Sequence, residues 1–261
     1  MFKSILSLCP ILLASCASPL FPVPPDRVVD LSHAYDRDTV YWPTEEGFVL
    51  EKEADGFTAK GYYYAANKFR SAEHGGTHID APLHFHAGGR PVDEIPLTQL
   101  MGDGVLIDVS LPCRADPDHL ISTSDLRAWE DQYGRIPDGA IVLLRTGFGR
   151  YWPDRTRYMG TDQRGEAGVA NLHFPGLDPD AAQWLVDNRS IHAIGLDTPS
   201  IDHGPSKLFQ SHQILFAHEI PAFENLTRLD ELPATGFVVI ALPMKIKGGS
   251  GGPLRIVALR R

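Results

Sequence analysis

The sequence predicts a single mixed α/β (α+β) domain. Short apolar runs of strand length alternate with a few helical patterns, and no internal repeat or low-complexity tract interrupts them. The 261 residues are 43% apolar and 22% charged, enough to bury a core and too apolar for a mainly disordered chain. Lys plus Arg number 24 against 33 Asp plus Glu, a formal charge of −9. That acidic balance, with no dense basic run, excludes nucleic acid as the main partner.

The N-terminus reads as an address. Met1-Phe2-Lys3 is followed by an apolar run from Ile5 to Leu13, then by Ala14-Ser15-Cys16. A positive start, a short apolar stretch and small residues before a cut site have the layout of a secretory leader. The run is too short to span a bilayer, and no later run is long enough. Leu13-Ala14-Ser15-Cys16 is similar to a bacterial lipobox, in which the chain is cut before the Cys and the Cys is acylated; a plain leader with Cys16 incidental is the alternative. The expected organisation is a signal peptide over 1–15, a Pro-rich tether over 16–26 and a domain over 27–261. The protein is then exported and anchored through Cys16 to a bacterial membrane, its domain facing the periplasm or the cell exterior. The lipid is its only membrane contact. Cys9 is lost and Cys16 acylated, so Cys113 is the single free thiol and no disulfide forms within one chain.

Along the domain, Val28–Leu31 is a first strand and Lys60–Phe69 a β-rich run. Gly104–Val109, Ala140–Leu144, Ala193–Leu196 and Phe237–Leu242 are apolar runs of buried-strand type, and Ile256–Leu259 is a last strand. Thr123 is placed to cap a helix to about Tyr133. Asp178 before Pro179 reads as an N-cap with Pro at the first helical position, opening a helix to about Asn188. A short helix is expected over Gln210–Ala217. Tyr151–Pro175 is a long polar insertion, expected to be a lid or an interface arm.

Eleven histidines are present, and His74, His78, His84 and His86 fall in one stretch, His74-Gly-Gly-Thr-His78-Ile-Asp80-Ala-Pro-Leu-His84-Phe-His86. Gly75, Gly76 and Pro82 disfavour a regular helix, so a turn followed by extended chain is expected. In extended chain His78 and Asp80 share a face, and the glycines let His74 fold back to join them. Two imidazoles and a carboxylate suit a borderline divalent ion and leave positions open for water and substrate. A lone His is more often a satisfied surface or core residue. Three His and an Asp within eleven positions are harder to explain that way. His86, beside Gly88-Gly89, is read as surface.

The string His74–Phe85 resembles the signature of the cyclase family of metal-dependent hydrolases, whose branches include bacterial kynurenine formamidase (arylformamidase) and isatin hydrolase. Leu31-Ser-His33, Tyr41-Trp-Pro43, Leu144-Arg-Thr-Gly147, Phe174-Pro-Gly-Leu177, Gly195-Leu-Asp-Thr-Pro-Ser200, Glu224-Asn-Leu226 and Gly248–Pro253 extend the likeness over the whole domain. The resemblance implies a β-sheet or barrel-like core with flanking helices, of the swivelling β/β/α type. It implies that His74, His78 and Asp80 are metal ligands and that His84 is the catalytic proton donor and acceptor. His212 and Glu224 match the pair completing a second metal site in the formamidase branch, with Asp80 and Glu224 bridging. Read by itself, Glu224 is a loop carboxylate and His212 a packed side chain. Trp42 matches an aromatic residue contacting substrate. The cofactor implied is one or two divalent ions, Zn or Mn, the isatin hydrolase branch using a single Mn. The resemblance also implies a homo-oligomer.

The chemistry expected is hydrolysis of a non-peptide C–N bond, a formamide or a cyclic amide, in a small aromatic molecule, with His84 moving the proton. The competing reading is a non-catalytic metal-binding lipoprotein, which has no use for a titrating His84 beside the ligands. Gly248-Gly-Ser250-Gly-Gly252 satisfies G-x-S-x-G, but Pro253 follows and no His lies beyond His218, so Ser250 is not a serine-hydrolase nucleophile. The glycine-rich loop is expected to approach the active site with its backbone or to make a tight turn.

Overall fold

The computed structural model describes residues 23–261. The leader, Cys16 and the tether up to residue 22 lie outside the described residues. In chain order the elements are β1 (Val28–Asp30), β2 (Val49–Phe57), β3 (Tyr63–Arg70), β4 (His78–Asp80), β5 (Met101–Asp108), α1 (Ser110–Ala115), β6 (Leu120–Ile121), α2 (Thr123–Tyr133), β7 (Ile141–Arg145), α3 (Arg155–Met159), α4 (Gly165–Ala170), β8 (Gly176–Leu177), α5 (Pro179–Asn188), β9 (Ala193–Leu196), α6 (Gln210–Ala217), β10 (Ala222–Glu224), β11 (Phe237–Pro243) and β12 (Gly251–Arg260). Among the described residues no helix is long and apolar enough to cross a membrane.

The main sheet runs β1-β12-β11-β5-β7-β9-β10-β4, and β4 also pairs with β12. That last pairing closes a seven-stranded barrel, with β1 laid along β12 outside the ring. β5, β7, β9 and β10 are parallel, and the remaining seams are antiparallel. Alternation along each strand divides the core in two. Leu106, Ile141, Leu143, Phe223, Val239 and Ile256 belong to a cluster supplied by the strands and their connections, which fills the barrel. Val105, Ile107, Val142 and Leu144 point the other way, against Leu126 and Trp129 of α2 and Ala181, Ala182 and Leu185 of α5. The sheet is therefore apolar on both faces, as parallel strands covered by helices require.

The helix over Thr123–Tyr133 is capped one residue earlier than expected. Ser122 accepts from the Asp125 N–H, and the Asp125 carboxylate accepts from the Ser122 N–H, a reciprocal capping box. Asp178 caps α5 as its sequence predicts. The last strand begins at Gly251 rather than Ile256, because the glycine-rich segment itself pairs with β4. Tyr151–Pro175 is not a free arm. It carries α3 and α4, and Tyr158, Met159, Leu172 and Phe174 are buried in the helix-side core.

Gly104 on β5 pairs with Phe237 on β11, and the Phe237 ring lies across it; a Cβ at this position would stand 2.0 Å from the ring. Gly104→Ala should therefore lower stability by roughly 1–3 kcal/mol through overpacking. A shift of the urea midpoint at unchanged slope measures this, and an unshifted midpoint would show that the seam yields.

Candidate metal centre

The centre is built on β4, which is three residues long and hydrogen-bonded on both sides. β10 places Glu224 opposite His78 and Ala222 opposite Asp80; β12 places Pro253 opposite His78 and Gly251 opposite Asp80. Ile79 and Phe223 turn into the barrel core. By the two-residue period, His78, Asp80 and Glu224 then share the opposite face. The turn before β4 depends on Gly76 at φ +60°, where a Cβ would stand 2.5 Å from the Tyr35 ring. The Tyr35 hydroxyl lies 2.9 Å from the Gly75 carbonyl oxygen and 2.5 Å from that of Thr77. Through this turn His74 reaches Asp80, its Nδ1 2.6 Å from Asp80 Oδ1, while its Nε2 meets the Ser250 hydroxyl at 2.8 Å.

His212 arrives from α6. That helix has no local side-chain cap, its N-cap being Phe209 in the left-handed region. Asp202 supplies one from a distance, accepting from the N–H groups of Ser211 and His212 at 3.1 Å each. The same carboxylate lies 2.6 Å from His212 Nδ1 and so aims Nε2 at the centre. His212 Nε2 lies 3.2 Å from both Asp80 Oδ2 and Glu224 Oε1.

Ligand-type atoms of His74, His78 and Asp80 lie within 4.8 Å of one another, as do those of Asp80, His212 and Glu224, so Asp80 is common to two candidate sites. The residues fit a cation. His78 Nδ1 is 3.0 Å from the Gly76 carbonyl and donates to it, which leaves Nε2 as the atom that faces the centre. Among the described residues this buried nitrogen has no hydrogen-bond partner, and it faces carboxylate oxygens of Asp80 at 3.1 Å and Glu224 at 3.5 Å. Acceptors converging on acceptors are satisfied by a positive charge between them.

The electrostatics agree. Burial pushes the Glu224 carboxyl above the usual range, with the Asp80 charge adding to it. Burial acts against ionised Asp80 too, yet the imidazoles of His74, His84 and His78 hold it well below. Burial disfavours imidazolium at His212, but hydrogen bonds to Asp202, Asp80 and Glu224 raise its pKa well above the ordinary value; at His78 burial is likewise outweighed, by Asp80 and the Glu224 charge, and the pKa is raised. Protons on these rings stand where a divalent cation would. His84 differs. Burial, opposed by Asp80 and reinforced by His74, His212 and His78, lowers it to about 4. It is neutral near pH 7 and stacks on His74 with ring centroids 3.7 Å apart.

The centre opens into a cavity of about 560 Å³. Trp42 forms part of its wall, edge-on to Phe174 and Phe209, and Phe85 packs on His212. All seven residues read from the sequence within the described region (His74, His78, Asp80, His84, His212, Glu224 and Trp42) thus line one cavity, and His86 does not. The sequence reading missed Asp202, Phe85, Phe209 and Asn225. Asn225 donates to the Gly76 carbonyl at 2.8 Å and binds the Tyr158 hydroxyl. The only sequence signal for Asp202 was its place two residues beyond the matched stretch Gly195–Ser200. The glycine-rich loop reaches the site by its Ser250 side chain more than by the backbone amides expected of it: the hydroxyl meets His74 and Glu73, and one amide, that of Ser250, donates to Glu73.

Comparison with known proteins gives the same answer. A family model described as putative cyclase matches residues 29–203. The chain is 32% identical to the isatin hydrolase of Roseibium aggregatum over 211 residues, covering 78% of each chain. It is 28% identical to the kynurenine formamidase of Bacillus anthracis over 233 residues, 88% of this chain and 95% of that one. Among solved structures, isatin hydrolase A from Ralstonia solanacearum superposes with a TM-score of 0.81 at 33% identity, covering 90% of this chain and 92% of that one. An isatin hydrolase bound to the product analogue thioisatinate gives 0.79 at 29% identity, covering 89% and 91%. With the family model, the sequence relatives and the fold in agreement, this chain belongs to the cyclase family.

Proposed function

We propose that the protein hydrolyses the amide bond of a small, uncharged aromatic substrate, a cyclic amide of the isatin type ahead of a formamide such as N-formylkynurenine. The observation that carries this reading is the convergence of His74, His78, Asp80, His212 and Glu224 in an aromatic-walled cavity, with neutral His84 beside them. The protein is a metal-dependent hydrolase of amide bonds. Its nitrogen and carboxylate donors suit Zn or Mn. His74, His78 and Asp80 would hold one ion, and Asp80, His212 and Glu224 a second. A divalent ion so held lowers the pKa of a water to about 7 and polarises an amide carbonyl.

The chain's own residues supply the rest. His84, held neutral, accepts a proton from the attacking water and returns it to the leaving nitrogen. Trp42, Phe85 and Phe209 offer ring faces and edges to an aromatic substrate and exclude water around it. Among the described residues no Lys or Arg lines the cavity, whereas Glu45 and Glu73 do. This lining disfavours a substrate carrying a free carboxylate, which supports the uncharged cyclic amide.

Elemental analysis of the purified domain should find one or two equivalents of divalent metal per chain. Chelation should abolish isatin hydrolysis, Zn or Mn should restore it, and N-formylkynurenine should be the poorer substrate; a chain that binds no metal under any loading ends the reading. His84→Ala should retain its metal and lose ~10²–10⁴-fold in turnover. Asp80→Ala should lose metal and activity together. If His84→Ala loses its metal, His84 is a ligand and not the proton carrier. Asp202→Ala, which frees the His212 ring, should weaken metal binding ~10–100-fold, measured by competition with a chelator.

A further inference from the structure

A buried chain of hydrogen bonds runs from α3 to the metal centre. The Tyr158 hydroxyl, fully buried, lies 2.8 Å from Asn225 Oδ1 and 3.3 Å from the Asp197 carbonyl. Asn225 follows Glu224 directly and leaves β10 in the left-handed region, at φ +54°, where Asn is tolerated better than most residues. Its N–H donates to the Thr198 carbonyl at 2.9 Å, and its own carbonyl accepts from the Thr77 hydroxyl at 2.8 Å. With the backbone held on both sides, the side chain is turned to the Gly76 carbonyl, to which Nδ2 donates at 2.8 Å. A carbonyl oxygen only accepts, so the amide nitrogen must face Gly76, and the amide oxygen is left for Tyr158.

The same Gly76 carbonyl accepts from His78 Nδ1 at 3.0 Å, so both of its lone pairs are engaged. Gly76 lies in the turn before β4, outside the strand ladder, so the direction of its carbonyl depends on these side chains. Were the carbonyl to rotate, the His78 ring would lose its acceptor, and water could not replace it, because His78 and Asn225 are each only 2% exposed. We propose that Tyr158 and Asn225 are positioning residues of the metal centre. The Tyr158 hydroxyl fixes the Asn225 amide, the amide fixes the Gly76 carbonyl, and that carbonyl holds the His78 ring with Nε2 toward the ion. The proposal rests on the metal-dependent reading of the site. Neither residue supplies a ligand. An imidazole ligand that donates its other N–H to a carbonyl is held to one orientation. Here the acceptor is itself clamped from behind. The Tyr151–Pro175 segment, through α3, thereby buttresses the turn that joins His74 to His78. Asn225 also lines the cavity, so contact with substrate is the competing role.

Zinc titration against a competing chelator, with proton–nitrogen NMR of the zinc-loaded chain, tests the proposal. Tyr158→Phe removes only the hydroxyl, and Asn225→Gly removes the amide while keeping the left-handed backbone. Each should weaken zinc binding ~10-fold or more and speed solvent exchange of the His78 Nδ1 proton by a similar factor, about the weight of one hydrogen bond. The double variant should bind zinc no more weakly than Asn225→Gly alone, because the hydroxyl acts through the amide. Wild-type zinc affinity and an unchanged His78 Nδ1 proton in both single variants overturn the proposal, even where the urea midpoint falls, since only a structural role then remains. Asn225→Gly that raises the KM for isatin at unchanged zinc affinity overturns it in favour of substrate contact. Losses that add in the double variant break the link from Tyr158 to Asn225 and overturn it equally. A wild-type chain that binds no zinc overturns the metal-dependent reading and the proposal together, an outcome told apart by the wild type alone.

Discussion

Two carboxylates, Asp80 and Glu224, are buried side by side on one face of a barrel seam, and the site is organised around the repulsion between them. Leaving such a pair without a cation in a poorly solvated place costs several kcal/mol. The chain answers with three imidazoles at contact distance, from His74, His78 and His212, each held by a second hydrogen bond. These partners decide which ring nitrogen faces inward. The site is thereby preorganised for a divalent ion, and the metal-free protein must hold protons there instead.

The barrel makes this arrangement affordable. β4 is only three residues long, yet it is pinned by β10 on one side and by the glycine-rich start of β12 on the other. Ile79 and Phe223 anchor the seam from the barrel interior while their neighbours face the cavity. Asp202 joins a helix end to a ligand ring by capping α6 and orienting His212 with one carboxylate. A buried polar group with two such duties rigidifies what it touches.

The separate two-stranded ribbon of β2 and β3 and the metal centre are joined through the chain itself. β3 ends at Arg70, and four residues later comes His74, with the Ser71 hydroxyl on Tyr41 and Glu73 on Ser250 along the way. The segment that leaves the ribbon therefore carries a candidate ligand and lines the cavity.

Much of this was legible in the sequence because the signals were local. The apolar runs at Ala193–Leu196 and Phe237–Leu242 became strands, and Asp178-Pro179 opened a helix. His74, His78 and Asp80 lie so close along the chain that two glycines and an extended stretch suffice to join them. His84 followed from the same string. What lay far apart was invisible to spacing. His212 and Glu224 entered through a family resemblance alone, and Asp202 did not enter, because a helix and a strand 132 or more residues from Asp80 meet it only when the barrel closes. The start of β12 was hidden for a related reason, since glycines carry no strand preference and pair there only because β4 offers an edge. The Tyr151–Pro175 segment read as a loop because its helices are too short for a periodic pattern, and burial in the tertiary core is what orders them. The sequence by itself determined the chemistry available, imidazoles and carboxylates in reach of one another. The tertiary structure alone decided that two carboxylates would be buried together among three imidazoles, because that depends on closing the ring of strands.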